Sequence, residues 1–277
     1  IQVVSIKLVV YFVMLCFINF FTSLFYNSIA QSQPIWNKEV LKATFDFVTH
    51  ISFWHPVTPF VLILLLTLFL IQINYKFGQG ELWKYIQGKY FNPREEERIF
   101  LFLDIASSTT IAEKLGHIQF FNFINDFYKD ITDTILLTRG EIVDYVGDEI
   151  IVNWRLSNGL LDSNCLRCVF DIEKELNGLA AKYQATYGFE PEFRAGLHYG
   201  RATVGEIGKI KKEITYFGDV MNTTARIQGL CKEYDQQVVI SGELVKKLPL
   251  NEYNFTSLGD IQLRGKSQIT SVYGVTQ

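Results

Sequence analysis

"GEIVDYVGDEIIVNW", residues Gly140–Trp154, reads as a strand, a tight turn and a second strand. Gly147 is where a backbone turns most easily, because it has no Cβ to clash. Three acids, Asp144, Asp148 and Glu149, crowd that turn. Like charges this close repel unless something positive lies among them. The stretch therefore predicts a β-hairpin and, at its turn, a seat for a cation.

Working outward, "RIFLFLD" (Arg98–Asp104) is a short apolar run ending in an acid, as a buried strand would. "ASSTT" follows, and Ser/Thr before a periodic run marks a helix start, with Thr109 as its cap. Ile111, Leu115, Ile118, Ile124, Phe127, Ile131 and Ile135 then recur at helical spacing. After the hairpin, Leu166, Val169, Phe170, Ile172, Leu176 and Leu179 predict a helix over about 162–187. "EFRAGLHYGRATVGEIG" reads as two strands meeting near Gly200, "DVMNTTARIQGLCKEY" as a helix, "QVVIS" as a strand, and the last strands end near Val275. The order predicts an α+β, ferredoxin-like domain with helices on one face of a largely antiparallel sheet. In that order the first strand and the hairpin lie side by side. Asp104 and Asp148 then meet at one sheet end, where two hard oxygen anions suit a divalent cation. The helix start after Asp104 offers backbone N–H groups to an anion. Metal seat plus anion cradle reads as a nucleotide triphosphate site.

The N-terminal part has a different composition. "LVVYFVMLCFINFFTSLFY" (8–26) carries no charge, and "PFVLILLLTLFLIQI" (59–73) is more apolar still. Each is read as a membrane helix, over about 8–26 and 57–74. The chain is 48% hydrophobic with 23 Phe, rich for a wholly soluble domain. Between the runs lie only Lys38 and Lys42; after them come Lys76, Lys84, Lys89, Arg94 and Arg98. The positive-inside tendency puts residue 76 onward in the cytoplasm and the protein in the inner membrane as a multi-pass chain. The expected organisation is a membrane region (1–75), a linker with a short amphipathic helix (76–97) and a soluble domain (98–277). A net charge of −3 with no basic block speaks against nucleic acid as a partner. Cys165 and Cys168 form a lone "CLRC" with no second pair to complete a zinc site, so they are read as core packing. The chain begins with Ile1, as a processed chain or a fragment would.

Five stretches in series, "FLDIASSTTIAEKLG", "GEIVDYVGDEIIVNW", "FRAGLHYGRATVGEIG", "ITYFGDVMNTTARIQ" and "LRGKSQITSVYGV", resemble a class III purine nucleotidyl cyclase catalytic domain over about residues 97–277. The resemblance implies that Asp104, Asp148 and the Ile105 carbonyl hold Mg²⁺ or Mn²⁺, two ions per site. It implies that Asn222 orients the ribose and Arg226 stabilises charge on the α-phosphate. Lys266 falls where the family binds triphosphate; Ser107, Ser108 and Thr109, in the anion cradle at the helix start, are read as further phosphate contacts. It implies a homodimer, because the family builds its site from two domains, metals on one and Asn and Arg on the other. The base-reading pair departs from the pattern. Asp144 stands where adenylyl cyclases usually have Lys and guanylyl cyclases Glu, and Thr215 takes the partner position. Asp144 matches guanine's donors, whereas Thr215 leans to adenine. The expected activity is conversion of ATP to 3′,5′-cyclic AMP, with cyclic GMP synthesis and a non-catalytic nucleotide-binding module as alternatives.

Overall fold

The computed structural model describes residues 2–55, 57–77, 83, 86–210, 212–249, 253–262 and 269–277. It consists of two compact units, Ile1–Lys89 and Tyr90–Gln277.

The first unit is helical: α1 (Gln2–Ala30), α2 (Lys38–Thr49), α3 (Ile51–Trp54) and α4 (Val57–Phe77). Within α1, Val9–Ala30 forms 22 residues of mean hydropathy 2.0 with almost none of its surface buried. The helix outruns the expected 8–26, and polar side chains along it find partners. The Asn19 amide donates to the Leu15 carbonyl at 3.0 Å, and the Asn27 amide donates to Thr44 Oγ1 of α2 at 3.1 Å. The apolar run of α4, Val57–Ile73, is shorter. Its length, about 25 Å at 1.5 Å per residue, falls below a hydrocarbon core of about 30 Å. Among the described residues, one helix is therefore long and apolar enough to cross a membrane, where the sequence predicted two. The helix expected within 76–97 falls mostly outside the described residues.

The second unit is a mixed α/β domain. Its strands are β1 (Arg94–Ile105), β2 (Glu141–Val146), β3 (Glu149–Arg155), β4 (Phe193–Ile207), β5 (Glu213–Phe217), β6 (Val238–Ser241), β7 (Asn254–Gln262) and β8 (Ile269–Thr276). Its helices are α5 (Ser108–Leu115), α6 (His117–Leu137), α7 (Leu156–Leu160), α8 (Asn164–Gly178), α9 (Ala180–Tyr187), α10 (Asp219–Glu233) and α11 (Gly242–Val245). The sheet runs β2-β3-β1-β4-β6-β8-β7, with β5 paired to β4. Its first four strands have the ferredoxin-like order, and every pair is antiparallel except β4 with β6.

Strand β1 shows why the layers form. Ile99, Leu101, Leu103 and Ile105 enter the main core beneath α6 and α8, with Ile150, Val152 and Trp154 of β3 and Ala195 and Leu197 of β4. Phe100 and Phe102 point the other way, to a smaller cluster with Ile151, Ala202 and Val220. That is the two-residue period of a strand buried on both faces.

Four local expectations are corrected. β4 is one 15-residue strand paired with β1 from Phe193 to Val204, not two strands meeting at Gly200. β1 begins at Arg94 rather than Arg98, because that ladder continues through Glu95–Glu97. The two long helices are each interrupted, at Gly116 (φ +72°) and at Leu179, giving α5/α6 and α8/α9. Finally, α10 covers the sheet face opposite α6 and α8, so helices lie on both faces. Gly196 makes that possible. A Cβ there would come within 2.4 Å of the Gln228 backbone nitrogen and 2.5 Å of its Cα.

Candidate active site

Asp104 follows Phe100 and Phe102 on the α10 face of β1, at the strand's last turn of the pleat. Opposite it in β3 is Glu149. The intervening turn is pinned from two sides. The Ile105 N–H donates to the Asp148 carbonyl at 3.3 Å, and the Tyr128 hydroxyl of α6 donates to the Gly147 carbonyl at 3.1 Å. Gly147 lies at φ +66°, a conformation other residues adopt at a cost. The result brings the Asp104 and Asp148 carboxyls within hydrogen-bonding reach.

The electrostatics record this crowding. Burial, then the Asp148 charge and its hydrogen bond, push Asp104 up to about 6, against a partial pull downward from the Gln228 amide and Arg194. Burial, then Asp104 and Asp148, push Glu149 up to about 7. Burial followed by the same two aspartates raises the Tyr128 phenol. A half-buried carboxylate cluster that raises its own members is short of positive charge, which is the condition a divalent cation relieves. The residues therefore fit such an ion as two carboxylates with the Ile105 backbone beside them. Among the described residues, no group of three or more His, Cys, Asp and Glu side chains is gathered for a metal.

Helix α5 starts three residues beyond this seat. Its N-cap is Ser107, not Thr109, and Ser107 is held left-handed (φ +58°) with no side-chain cap bond. The Ser108 and Thr109 backbone amides thus open the helix without a capping side chain, next to the carboxylate pair.

Asn222 and Arg226 lie on α10, one turn apart. Val220, Thr223, Thr224, Ile227, Leu230 and Cys231 are the buried stripe of this helix, so Asn222 is exposed and Arg226 half-buried. The described residues show no hydrogen bond or ion pair from either to Asp104 or Asp148. The α10 residue that does reach Asp104 is Gln228.

Asp144 is exposed on β2, just after a register shift that leaves Val143 as an extra residue. Such a bulge re-aims the side chains that follow. The Asp144 carboxylate accepts the Tyr145 N–H at 2.8 Å. Thr215 is half-buried on β5, opposite Gly205. Their immediate neighbours, Val143 and Tyr216, pack on the same cluster around Phe100 and Phe102. Lys266 lies outside the described residues.

Reading the sequence for a site misses three residues. Glu149 shows there only as a third acid in a turn. Gln228 has no signal, because its approach to Asp104 depends on α10 crossing the sheet at Gly196. Arg98 reads as the polar edge of a strand, yet it is fully buried. Its one signal is the alternation Arg98, Phe100, Phe102, Asp104.

Residues 92–275 match the family model for the adenylate and guanylate cyclase catalytic domain. Adenylate cyclase 2 of Rhizobium meliloti (strain 1021) is 37% identical over 210 residues, 76% of this chain and 58% of that protein. The adenylate cyclase of Anabaena cylindrica is 27% identical, over 63% of this chain and 36% of its own length. This chain thus spans less than two thirds of the length of these relatives. Among solved structures, a bacterial light-regulated adenylyl cyclase superposes with a TM-score of 0.66 at 23% identity, covering 80% of this chain and 64% of that one. The guanylyl cyclase Cya2 gives 0.55 at 20% identity, over 67% and 93%. An α/β domain of this topology with paired carboxylates at the end of β1 defines a nucleotidyl cyclase catalytic fold. The chain belongs to the adenylate and guanylate cyclase catalytic-domain family.

Proposed function

We propose that this protein is a membrane-anchored nucleotidyl cyclase that converts ATP to 3′,5′-cyclic AMP and pyrophosphate as a homodimer. The observation that carries the reading is the convergence of Asp104 and Asp148 beside the start of α5. The similarity to adenylate cyclases favours ATP as the substrate.

In the reaction, the ribose 3′-oxygen forms a bond to the α-phosphorus, the bond to the β-phosphate bridging oxygen breaks, and the hydroxyl proton is released. Asp104, Asp148 and the Ile105 carbonyl would hold two Mg²⁺ or Mn²⁺ ions. Such ions, when bound, make the hydroxyl more acidic and take up charge on the leaving phosphates. Asn222 orients the ribose and Arg226 donates to the α-phosphate oxygens where charge builds. Ser107, Ser108 and Thr109 bind phosphate at the α5 N-terminus, and Lys266 binds the triphosphate. One copy supplies the carboxylates and the other Asn222 and Arg226. The N-terminal unit anchors the enzyme through α1, with the catalytic unit on the cytoplasmic side of the inner membrane.

Asp144 favours a second reading, a guanylyl cyclase. A carboxylate accepts hydrogen bonds and matches guanine N1–H and its amino group, not adenine N1. One assay separates the readings: the purified protein with equal ATP and GTP and either Mg²⁺ or Mn²⁺, followed by identification of the products. Cyclic AMP in excess is expected, and Asp144→Lys should raise that excess. Predominant cyclic GMP would move the assignment to the second reading. A folded protein that makes neither product while still binding nucleotide would reduce it to a binding module.

A further inference from the structure

Among the described residues, Arg98 is the charged side chain buried most completely in the domain, with no exposed surface. A cation so placed is costly unless every donor is matched. Here the matching partners come from four segments. Its Nε and Nη2 donate to Glu96 Oε2 at 3.0 and 2.6 Å, and Nη2 also donates to the Tyr90 hydroxyl at 3.2 Å. Nη1 donates to Glu141 Oε2 of β2 at 3.1 Å and to Asn153 Oδ1 of β3. The guanidinium carbon lies 5.2 Å from the ring centre of Tyr216 on β5. The Tyr216 hydroxyl closes the circuit, donating to Glu141 Oε2 at 3.4 Å, and its ring meets Phe100 edge-on at 5.7 Å.

Two of these partners adjoin the base-reading residues. Glu141 is three positions before Asp144, with the Val143 bulge between them. Tyr216 is the residue after Thr215. β2 lies at one edge of the sheet, β5 pairs with the C-terminal end of β4, and among the described residues no backbone ladder joins β2 to β5. Arg98 joins them through side chains, from the middle of the domain.

We infer that Arg98 is a positioning residue: by holding Glu141 and Tyr216 together it sets the separation of the strands that present Asp144 and Thr215, and so the preference for one purine over the other. This rests on the reading of Asp144 and Thr215 as the base-reading pair. The planar five-donor fork makes the link directional, which a lysine cannot reproduce.

The test measures kcat and KM for ATP and for GTP, and inhibition by inorganic tripolyphosphate, in the full chain and in Tyr216→Phe, Glu141→Gln and Arg98→Lys. Tyr216→Phe keeps the ring and removes the hydroxyl that bonds Glu141, the mildest of the three changes to the fold. The expected result is a change of about fivefold in the ATP-to-GTP ratio of kcat/KM, carried in KM, the worth of about one net hydrogen bond. Tripolyphosphate inhibition should stay constant, because the phosphate end is untouched. Asp144→Ala and Thr215→Ala run alongside. If these two shift the ratio and the Arg98 network variants lower only thermal stability, the network is structural and the inference is wrong. If Asp144→Ala and Thr215→Ala leave the ratio unchanged, the base-reading assignment itself fails and takes the inference with it.

Discussion

On one face of β1, Ile99, Leu101, Leu103 and Ile105 are buried to 1% exposure or less under α6 and α8, in a large apolar cluster with side chains of β3, β4 and both helices. On the other face, Arg98, Phe100, Phe102 and Asp104 alternate with them: a buried cation, two rings and a strained carboxylate. The covers differ as well. α6 and α8 bring long apolar stripes to the first face, whereas α10 approaches the second because Gly196 has no side chain. One face is held by volume and burial, the other by matched polar partners around a site where like charges remain unmatched. A strand's two-residue period lets a single segment carry both, so changes to stability and to chemistry can be made one residue apart.

The largest effects should separate the two faces. Asp104→Ala or Asp148→Ala is expected to lower cyclic nucleotide formation by at least about a hundredfold. Each variant should still unfold cooperatively, and without divalent ions should melt no lower than the parent, because one of two repelling charges is gone. Product assays and circular dichroism melts check both halves. Normal turnover in either folded variant would refute the assignment of these carboxylates. Next, Leu103→Ala, one residue before Asp104, should cost about 2–5 kcal/mol of stability. It should leave the ATP-to-GTP preference where it was; a changed preference would show that the faces are not independent.

The smallest effect compares the covers themselves. Burial pushes the Cys165 and Cys168 thiols, on α8, and the Cys231 thiol, on α10, up to about 12. Near pH 8 only about one thiol in ten thousand is then ionised. Alkylation followed by mass spectrometry should find all three unreactive until the protein unfolds. Cys231 reacting ahead of Cys165 and Cys168 would sharpen the contrast, showing that the α10 cover opens first.

Much of this domain was legible because its signals are local. The hairpin at Gly147, the strand ending at Asp104 and the helix carrying Asn222 and Arg226 all announce themselves by period and turn chemistry. Two boundaries misled for a local reason too. Gly200 looked like a turn, but it sits inside β4, where a Cβ would press on Val220 at 2.9 Å. The Ile111–Ile135 period hid the break at Gly116 because Ile111 and Leu115 before it and Ile124 after it face the same core, although Ile118 is exposed.

Sequence alone determined the class of fold, the candidate carboxylates and the family, since these depend on residue type at short spacing and on motifs in series. The tertiary structure decided that α10 covers the second face, that Gln228 reaches Asp104, and that Arg98 ties β2 to β5. Each of those contacts joins segments dozens of residues apart, and their pairing is set by strand order and by the space a glycine leaves, neither of which is written in any short stretch of the chain.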